Sequence, residues 1–178
     1  MATPEFIVRL REKIGHDLLW LIGVTAYVED ARGRILLGQR VDSGKWALVS
    51  GINEPGEEPA DTVVREVREE AGVDVVPTAL VRVKADKRVI TYGNGDQTQY
   101  LDLLFECRLA DATQADAFVN DDESLAVGWF ASGELPEPLL ASSAERIEAV
   151  LAYRARCAQG DARTLFAVSG ADGGDGEG

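Results

Sequence analysis

Apolar positions along the chain recur with two different periods, and each change of period marks an element. Near the start, Phe6, Ile7, Leu10 and Ile14 fall at helical spacing, with Arg9, Arg11, Glu12 and Lys13 between them. Thr3-Pro4 supplies a cap and first-turn pair and Gly15 a stop, so residues 1–17 read as an N-terminal helix. That helix either packs on the domain or serves as a dimer arm, and a homodimer stays among the expected partners. Strand patterns follow at Leu18 to Val28, Ile35 to Val41 and Trp46 to Ser50, the first two joined by the turn Glu29 to Arg34. A helix is predicted over 59–71. After Pro77, two long strands at 79–92 and 98–109 flank the turn Gly93-Asn94-Gly95-Asp96, and a further strand covers 125–131. Residues 141–157 read as a last helix, with Ala144, Ile147, Val150 and Leu151 on one face. There is no internal repeat. Residues 18–157 therefore form a single mixed α/β domain with a sheet between helices. Residues 158–178 are read as an extension, disordered from about 169, where GADGGDGEG offers nothing to bury.

Composition narrows the class. Apolar residues make up 46% and charged residues 28% of the 178, as in a soluble globular protein. No apolar run approaches the ~20 residues that span a bilayer, and the first residues lack the basic-then-apolar order of a secretory signal. Cys107 and Cys157 show no metal-ligand spacing, so a reduced, cytoplasmic setting with packed thiols is expected. The 18 basic and 31 acidic residues give a net charge of −13, which argues against nucleic acid or an anionic membrane as partner. The excess is local: residues 51–73 carry −5, residues 110–124 carry −5 and residues 169–178 carry −3, while the remainder balances.

The first acidic segment carries the chemistry. Pro59 suits a helix's first turn and Gly72 its C-terminal cap. On a helical wheel Ala60, Val63, Val64, Val67 and Ala71 cluster on one side, with Glu66, Glu69 and Glu70 in a sector facing away. Three carboxylates one turn apart repel each other, and a hard divalent cation would convert that repulsion into coordination. The Gly-rich turn before the helix leaves backbone carbonyls free to add an oxygen ligand. A solvated acidic helix face is the plainer alternative.

The segment resembles the Nudix box, G-x5-E-x7-R-E-U-x-E-E-x-G-U with U bulky aliphatic, and fills every specified position: Gly51, Glu57, Arg65, Glu66, Val67, Glu69, Glu70, Gly72 and Val73. At average residue frequencies chance would fill them roughly once in 10⁹ to 10¹⁰ start sites. Many relatives carry two glycines where this chain has Ser50-Gly51. The resemblance covers about residues 20–155 and implies an α/β/α sandwich around a mixed sheet. It also implies hydrolysis of a diphosphate bond in a nucleoside diphosphate linked to another group X, with Mg²⁺ as cofactor and Mn²⁺ able to substitute. By the same resemblance Glu66 and Glu70 ligate the metal with the Gly51 carbonyl, and Glu69 acts as a further ligand, directly or through water. Arg65 orients the carboxylates and Glu57 supports the loop and approaches a second metal. Glu66 is the candidate base within the box, and Glu123, before the Trp129 strand, the candidate from the acidic loop. Arg40 matches a position that contacts a phosphate in relatives.

Other residues carry weaker signals. Arg82, Lys84 and Arg88 share a strand face with Lys87 opposite, and a solvated face is the expected reading. Trp46, Tyr92, Tyr100, Phe105 and Trp129 are able to stack a base, though most are expected in the core, and His16 is read as structural. The favoured substrate is ADP-ribose or another nucleotide sugar. The alternatives are a nucleoside triphosphate pyrophosphohydrolase that cleans the nucleotide pool and a non-catalytic nucleotide-sensing module. The last usually loses box carboxylates, and none is missing here.

Overall fold

The computed structural model describes residues 3–111, 116–121 and 124–167. In chain order its elements are α1 (Glu5–Ile14), β1 (Leu19–Glu29), β2 (Arg34–Arg40), β3 (Trp46–Ala47), β4 (Ser50–Ile52), α2 (Pro59–Ala71), β5 (Val75–Ala85), β6 (Ile90–Thr91), β7 (Gln97–Leu109), β8 (Ser124–Ala131) and α3 (Ala141–Cys157).

β1 is the organising strand. It runs parallel to β7 along its whole length, from Leu19 opposite Thr98 to Glu29 opposite Arg108, and β5 extends the sheet antiparallel to β7. The other edge of β1 is divided. β2 meets it only where Glu29 faces Ile35, whereas β4 takes Gly23, Val24 and Thr25. β2 turns outward to pair with β3 and β8, and β6 pairs with β7. This splitting of one edge brings Gly51, on β4, against the middle of the sheet.

Alternate residues of a strand point to opposite faces. Val24, Ala26 and Val28 meet Val63, Val67 and Ala71 of α2 in one core, while Tyr27 meets Ile147, Val150 and Tyr153 of α3 in the other. A helix on each face of a mixed sheet makes a single α/β/α sandwich, as the sequence predicts. α2 runs over the expected residues, with Pro59 in its first turn and Gly72 ending it at φ 65°, a left-handed conformation that favours glycine. Cys107 is buried and Cys157 partly so, and both are free thiols.

Three expectations need correction. The strand expected at 46–50 is two, β3 and β4, because the chain changes partner from β2 to β1 between them. The strand expected at 79–92 begins earlier and stops earlier. β5 starts at Val75 and passes through Pro77 at a bulge, where an edge strand tolerates proline, and it ends before Asp86, whose carboxylate accepts from Arg88 N. The basic face of that strand is solvated at Lys84 and Arg88 but not at Arg82, whose side chain is only 13% exposed, under Glu145 of α3.

Beyond α3 the chain returns along the free edge of β5. Leu165 N donates to Val81 O at 2.7 Å, Val83 N to Leu165 O at 3.0 Å, and the Thr164 hydroxyl to Leu80 O at 2.8 Å. The disorder predicted from about 169 lies outside the described residues. Among the described residues no helix is long and apolar enough to cross a membrane.

Candidate active site

Glu66 is the buried carboxylate of the box. It is 4% exposed, and its carboxylate lies against Gly51: a Cβ on Gly51 would stand 2.0 Å from Glu66 Cδ and 2.1 Å from Oε1. Any side chain at residue 51 would evict the carboxylate. Arg65 gathers the neighbouring acids. Its Nε and Nη2 donate to the two oxygens of Glu57 at 2.9 and 3.0 Å, and Nη1 donates to Glu66 Oε1 at 2.8 Å and Glu69 Oε2 at 3.1 Å. A planar five-donor guanidinium can hold three carboxylates in this way and an ammonium cannot. The bidentate hydrogen bond to Arg65 holds the Glu57 carboxyl down at about 2, and the Arg65 guanidinium is held above its ordinary value by the same bond. Asn53 braces the loop, with Nδ2 donating to Thr62 Oγ1 at 2.7 Å and Glu57 O at 3.0 Å.

The three helix carboxylates do not share an outward sector. Glu66 turns inward because Gly51 leaves room for it, and the Glu69 side chain remains 56% exposed. Burial pushes the Glu66 carboxyl up to about 7 against the pull of Arg65. Burial also pushes Glu70 up to about 8, reinforced by the charges of Glu66 and Asp121. In both, burial outweighs the cation nearby, Arg65 for Glu66 and Arg40 for Glu70. Among the described residues no three acidic, histidine or cysteine side chains already stand together as a closed cage. The donor set nevertheless fits a hard divalent cation: two carboxylates raised in pKa by burial, a backbone carbonyl at Gly51 and a cradle that a Cβ would fill. Glu57 differs, since both its oxygens are committed to Arg65.

The acidic loop reaches this end of the helix. Phe118 N donates to Ala71 O at 3.1 Å and Asn120 N to Glu70 O at 3.4 Å, occupying carbonyls that a helix C-terminus leaves open, and Asn120 Nδ2 joins Gly72 N on Arg68 O at 3.0 Å. The Phe118 ring lies on Gly72, where a Cβ would be 2.4 Å from Cζ. This strap brings Asp121 near enough to Glu70 to raise its pKa. Glu123, the loop acid expected to serve in catalysis, and its neighbour Asp122 lie outside the described residues.

A cleft of about 1140 Å³ opens from Gly51 and Glu70 and runs across Gly23 and Tyr100 to Arg82. Arg40 lines it near Glu70, whose charge acts on it, and is itself paired with Asp42 through Nε at 3.0 Å and Nη2 at 2.6 Å. At the far wall Asp102, 6% exposed, accepts from Thr25 Oγ1 at 3.0 Å and from Arg146 Nη2 at 2.9 Å and Nε at 3.1 Å. Arg82 reaches Asp102 at 3.5 Å and Glu145 at 2.9 Å, and Lys84 also pairs with Glu145. On the rim Arg88 pairs with Asp86 at 2.7 Å, and Arg11 reaches Asp96 at 3.5 Å. His16 Nδ1 lies 2.8 Å from Asp96, tying the end of α1 to the turn before β7, which is a structural role. The Tyr92 and Tyr100 hydroxyls meet at 3.0 Å, and both rings line the cleft, outside the cores that hold Phe105, Trp46 and Trp129. The wall was missed because its members lie far apart in the chain. The one sequence signal was Thr98, Tyr100 and Asp102 alternating along a strand on the face that buries Leu104.

A family model described as the NUDIX domain matches residues 20–151. The mouse 8-oxo-dGDP phosphatase NUDT18 is 30% identical over 140 residues, 79% of this chain, which spans only 39% of that protein's length. A MutT-like protein of Streptomyces ambofaciens is 31% identical over 116 residues, covering 65% of this chain and 67% of that protein. Among solved structures, an ADP-ribose pyrophosphatase from Streptococcus suis superposes with a TM-score of 0.59 at 26% identity, covering 82% of this chain and 96% of that one.

Proposed function

The chain belongs to the Nudix hydrolase family, and on that premise we propose that it hydrolyses the diphosphate bond of a nucleoside diphosphate joined to a sugar, ADP-ribose being the first candidate. One observation carries this reading: two carboxylates raised in pKa by burial, Glu66 and Glu70, stand at one end of a cleft large enough for a two-part nucleotide, with Glu66 packed against Gly51. The likeness to the Streptococcus suis ADP-ribose pyrophosphatase supports it.

Glu66, Glu70 and the Gly51 carbonyl are assigned to hold a divalent cation, Mg²⁺ or Mn²⁺, with Glu69 as an outer ligand. That cation, when bound, supplies positive charge against the diphosphate oxygens and lowers the pKa of water. The remaining work belongs to the chain. Arg65 keeps Glu57, Glu66 and Glu69 in register, so that the helix carboxylates meet the ligand without rearranging. Glu57 acts as the anchor of Arg65. Arg40, at the mouth beside Glu70, turns toward a phosphate and exchanges part of its pairing with Asp42 for it. The proton released by the attacking water passes to a carboxylate. Glu66 Oε2 is the candidate within the helix, since Arg65 takes Oε1, and Glu123 is the candidate from the loop.

The test is a panel of nucleotides incubated with and without Mg²⁺, reading nucleoside monophosphate, phosphate and pyrophosphate. Nucleoside monophosphate released from ADP-ribose or UDP-glucose only when metal is present is the expected result. Pyrophosphate released from triphosphates alone would make the protein a nucleotide-pool enzyme, and tight binding without turnover would make it a sensor.

A further inference from the structure

The cleft floor is laid out by strand. Crossing from β4 through β1 and β7 to β5 takes three strand spacings, roughly 14 Å. Along that line the register sets Gly51 opposite Val24, Gly23 opposite Asp102 and Asp102 opposite Lys84, with Tyr100 two residues to one side on β7 and Arg82 two residues to the other on β5, all of them lining the cleft. Gly23 sits in the middle of a strand, where glycine is a poor choice unless something must approach the backbone. A Cβ there would stand 3.3 Å from Tyr100 Cδ1 and 3.8 Å from Gly51 O, inside the lane that joins the box to the far wall.

The far wall is not an anion trap. Arg82, Lys84 and Arg146 are matched by Asp102 and Glu145, and the rim cations Arg11, Arg40 and Arg88 each have a carboxylate of their own. A third phosphate would find no free cation there among the described residues. A surface of interleaved donors and acceptors instead suits hydroxyl groups, which donate and accept at once. Three buried polar atoms on this cleft have no hydrogen-bond partner among the described residues, Arg11 Nε and Thr98 Oγ1 toward the rim and Arg82 Nε at the far wall.

We propose that Gly23, Tyr100 and Arg82 form a subsite for the neutral, hydroxylated sugar ring carried on the far side of the diphosphate. Gly23 keeps the lane open, the Tyr100 ring gives the sugar a flat wall, and Arg82 Nε donates to a ring hydroxyl. The subsite rests on the diphosphate-sugar reading above and extends it to the group that distinguishes this substrate class from triphosphates.

The experiment compares ADP-ribose with the methyl ester of ADP, which keeps the diphosphate and lacks the sugar, in the wild type, Gly23→Ala, Gly23→Val and Arg82→Lys. Gly23→Ala adds one methyl group 3.3 Å from Tyr100 Cδ1, so the ring gives by a few tenths of an ångström, and the melting temperature is read beside the kinetics to show that the fold is kept. Its KM for ADP-ribose rises about tenfold with kcat nearly unchanged, and the methyl ester is unaffected. Gly23→Val enlarges the effect. Arg82→Lys keeps the charge and loses the Nε donor, and it raises the ADP-ribose KM in the same selective way. Equal shifts for both compounds, or no shift for either, would overturn the subsite while leaving the diphosphate chemistry standing. A wild type that cleaves ATP and neither ADP-ribose nor UDP-glucose would overturn the functional reading itself, and the subsite with it.

Discussion

The two ends of the cleft treat charge in opposite ways. At the far wall every cation has its carboxylate, and Asp102 alone takes hydrogen bonds from Thr25 and Arg146 and an ion pair from Arg82. At the box end Glu57, Glu66, Glu69, Glu70 and Asp121 crowd around Arg65 and Arg40, and Arg40 is already bound to Asp42. The charges of the wall are matched to one another and stabilise the fold. The box is left short of positive charge, a local inconsistency that proteins retain where function requires it. Stability and activity should therefore respond in opposite directions at the two ends.

The sharpest break in that comparison is Glu70→Gln. It should lower kcat/KM by about a thousandfold or more, since a cation-binding carboxylate is lost. At a pH above 8 and without metal it should also raise the melting temperature by roughly 2–4 °C, because a repelled charge is gone. Wild-type rates at saturating Mg²⁺ would sink the assignment. The opposite sign is expected at the wall. Asp102→Ala strands the charges of Arg146 and Arg82 and should cost about 3 kcal/mol in urea unfolding. An unchanged midpoint would mean that this pairing does not hold α3 to the sheet.

A pH series separates the ends without mutation. Glu66 and Glu70 titrate near 7 and 8 in the folded protein, against an ordinary value of 4.5. Between pH 5 and 8 the native state thus binds protons that the unfolded chain has released, so metal-free stability should fall as pH rises through that window. Glu57, held near 2, is ionised in both states throughout and contributes no slope there. Mg²⁺ should raise the melting temperature more at pH 8 than at pH 5.5. A metal effect independent of pH would detach the cation from these two carboxylates. The smallest effect belongs to Arg40→Ala, with KM up about fivefold, kcat little changed and stability level. A fall in kcat alone would instead place Arg40 against the transition state.

Legibility followed the distance between partners in the chain. The box occupies consecutive residues, and its helix is bounded by local signals, Pro59 and Gly72, so element and motif were both readable. Glu66 was read as outward because the wheel does not contain β4, and only the fold brings Gly51 against it. Thr25 and Asp102 lie 77 positions apart, and Arg82 and Glu145 63. Hence Arg82 looked like part of a solvated face. Pro77 was taken as a break because a bulge on an edge strand cannot be foreseen without knowing which strand is the edge. The role of Tyr100 depended likewise on which side of β7 faces the cleft.

The return of the chain along β5 has a consequence for handling the protein. An uncovered strand edge invites pairing with another molecule, and between Val81 and Val83 that edge is closed, among the described residues, by the backbone of Leu165. A variant truncated before Thr164 would uncover this backbone edge beside the buried Val81. Self-association into insoluble material, more than lost catalysis, is the hazard of shortening this end.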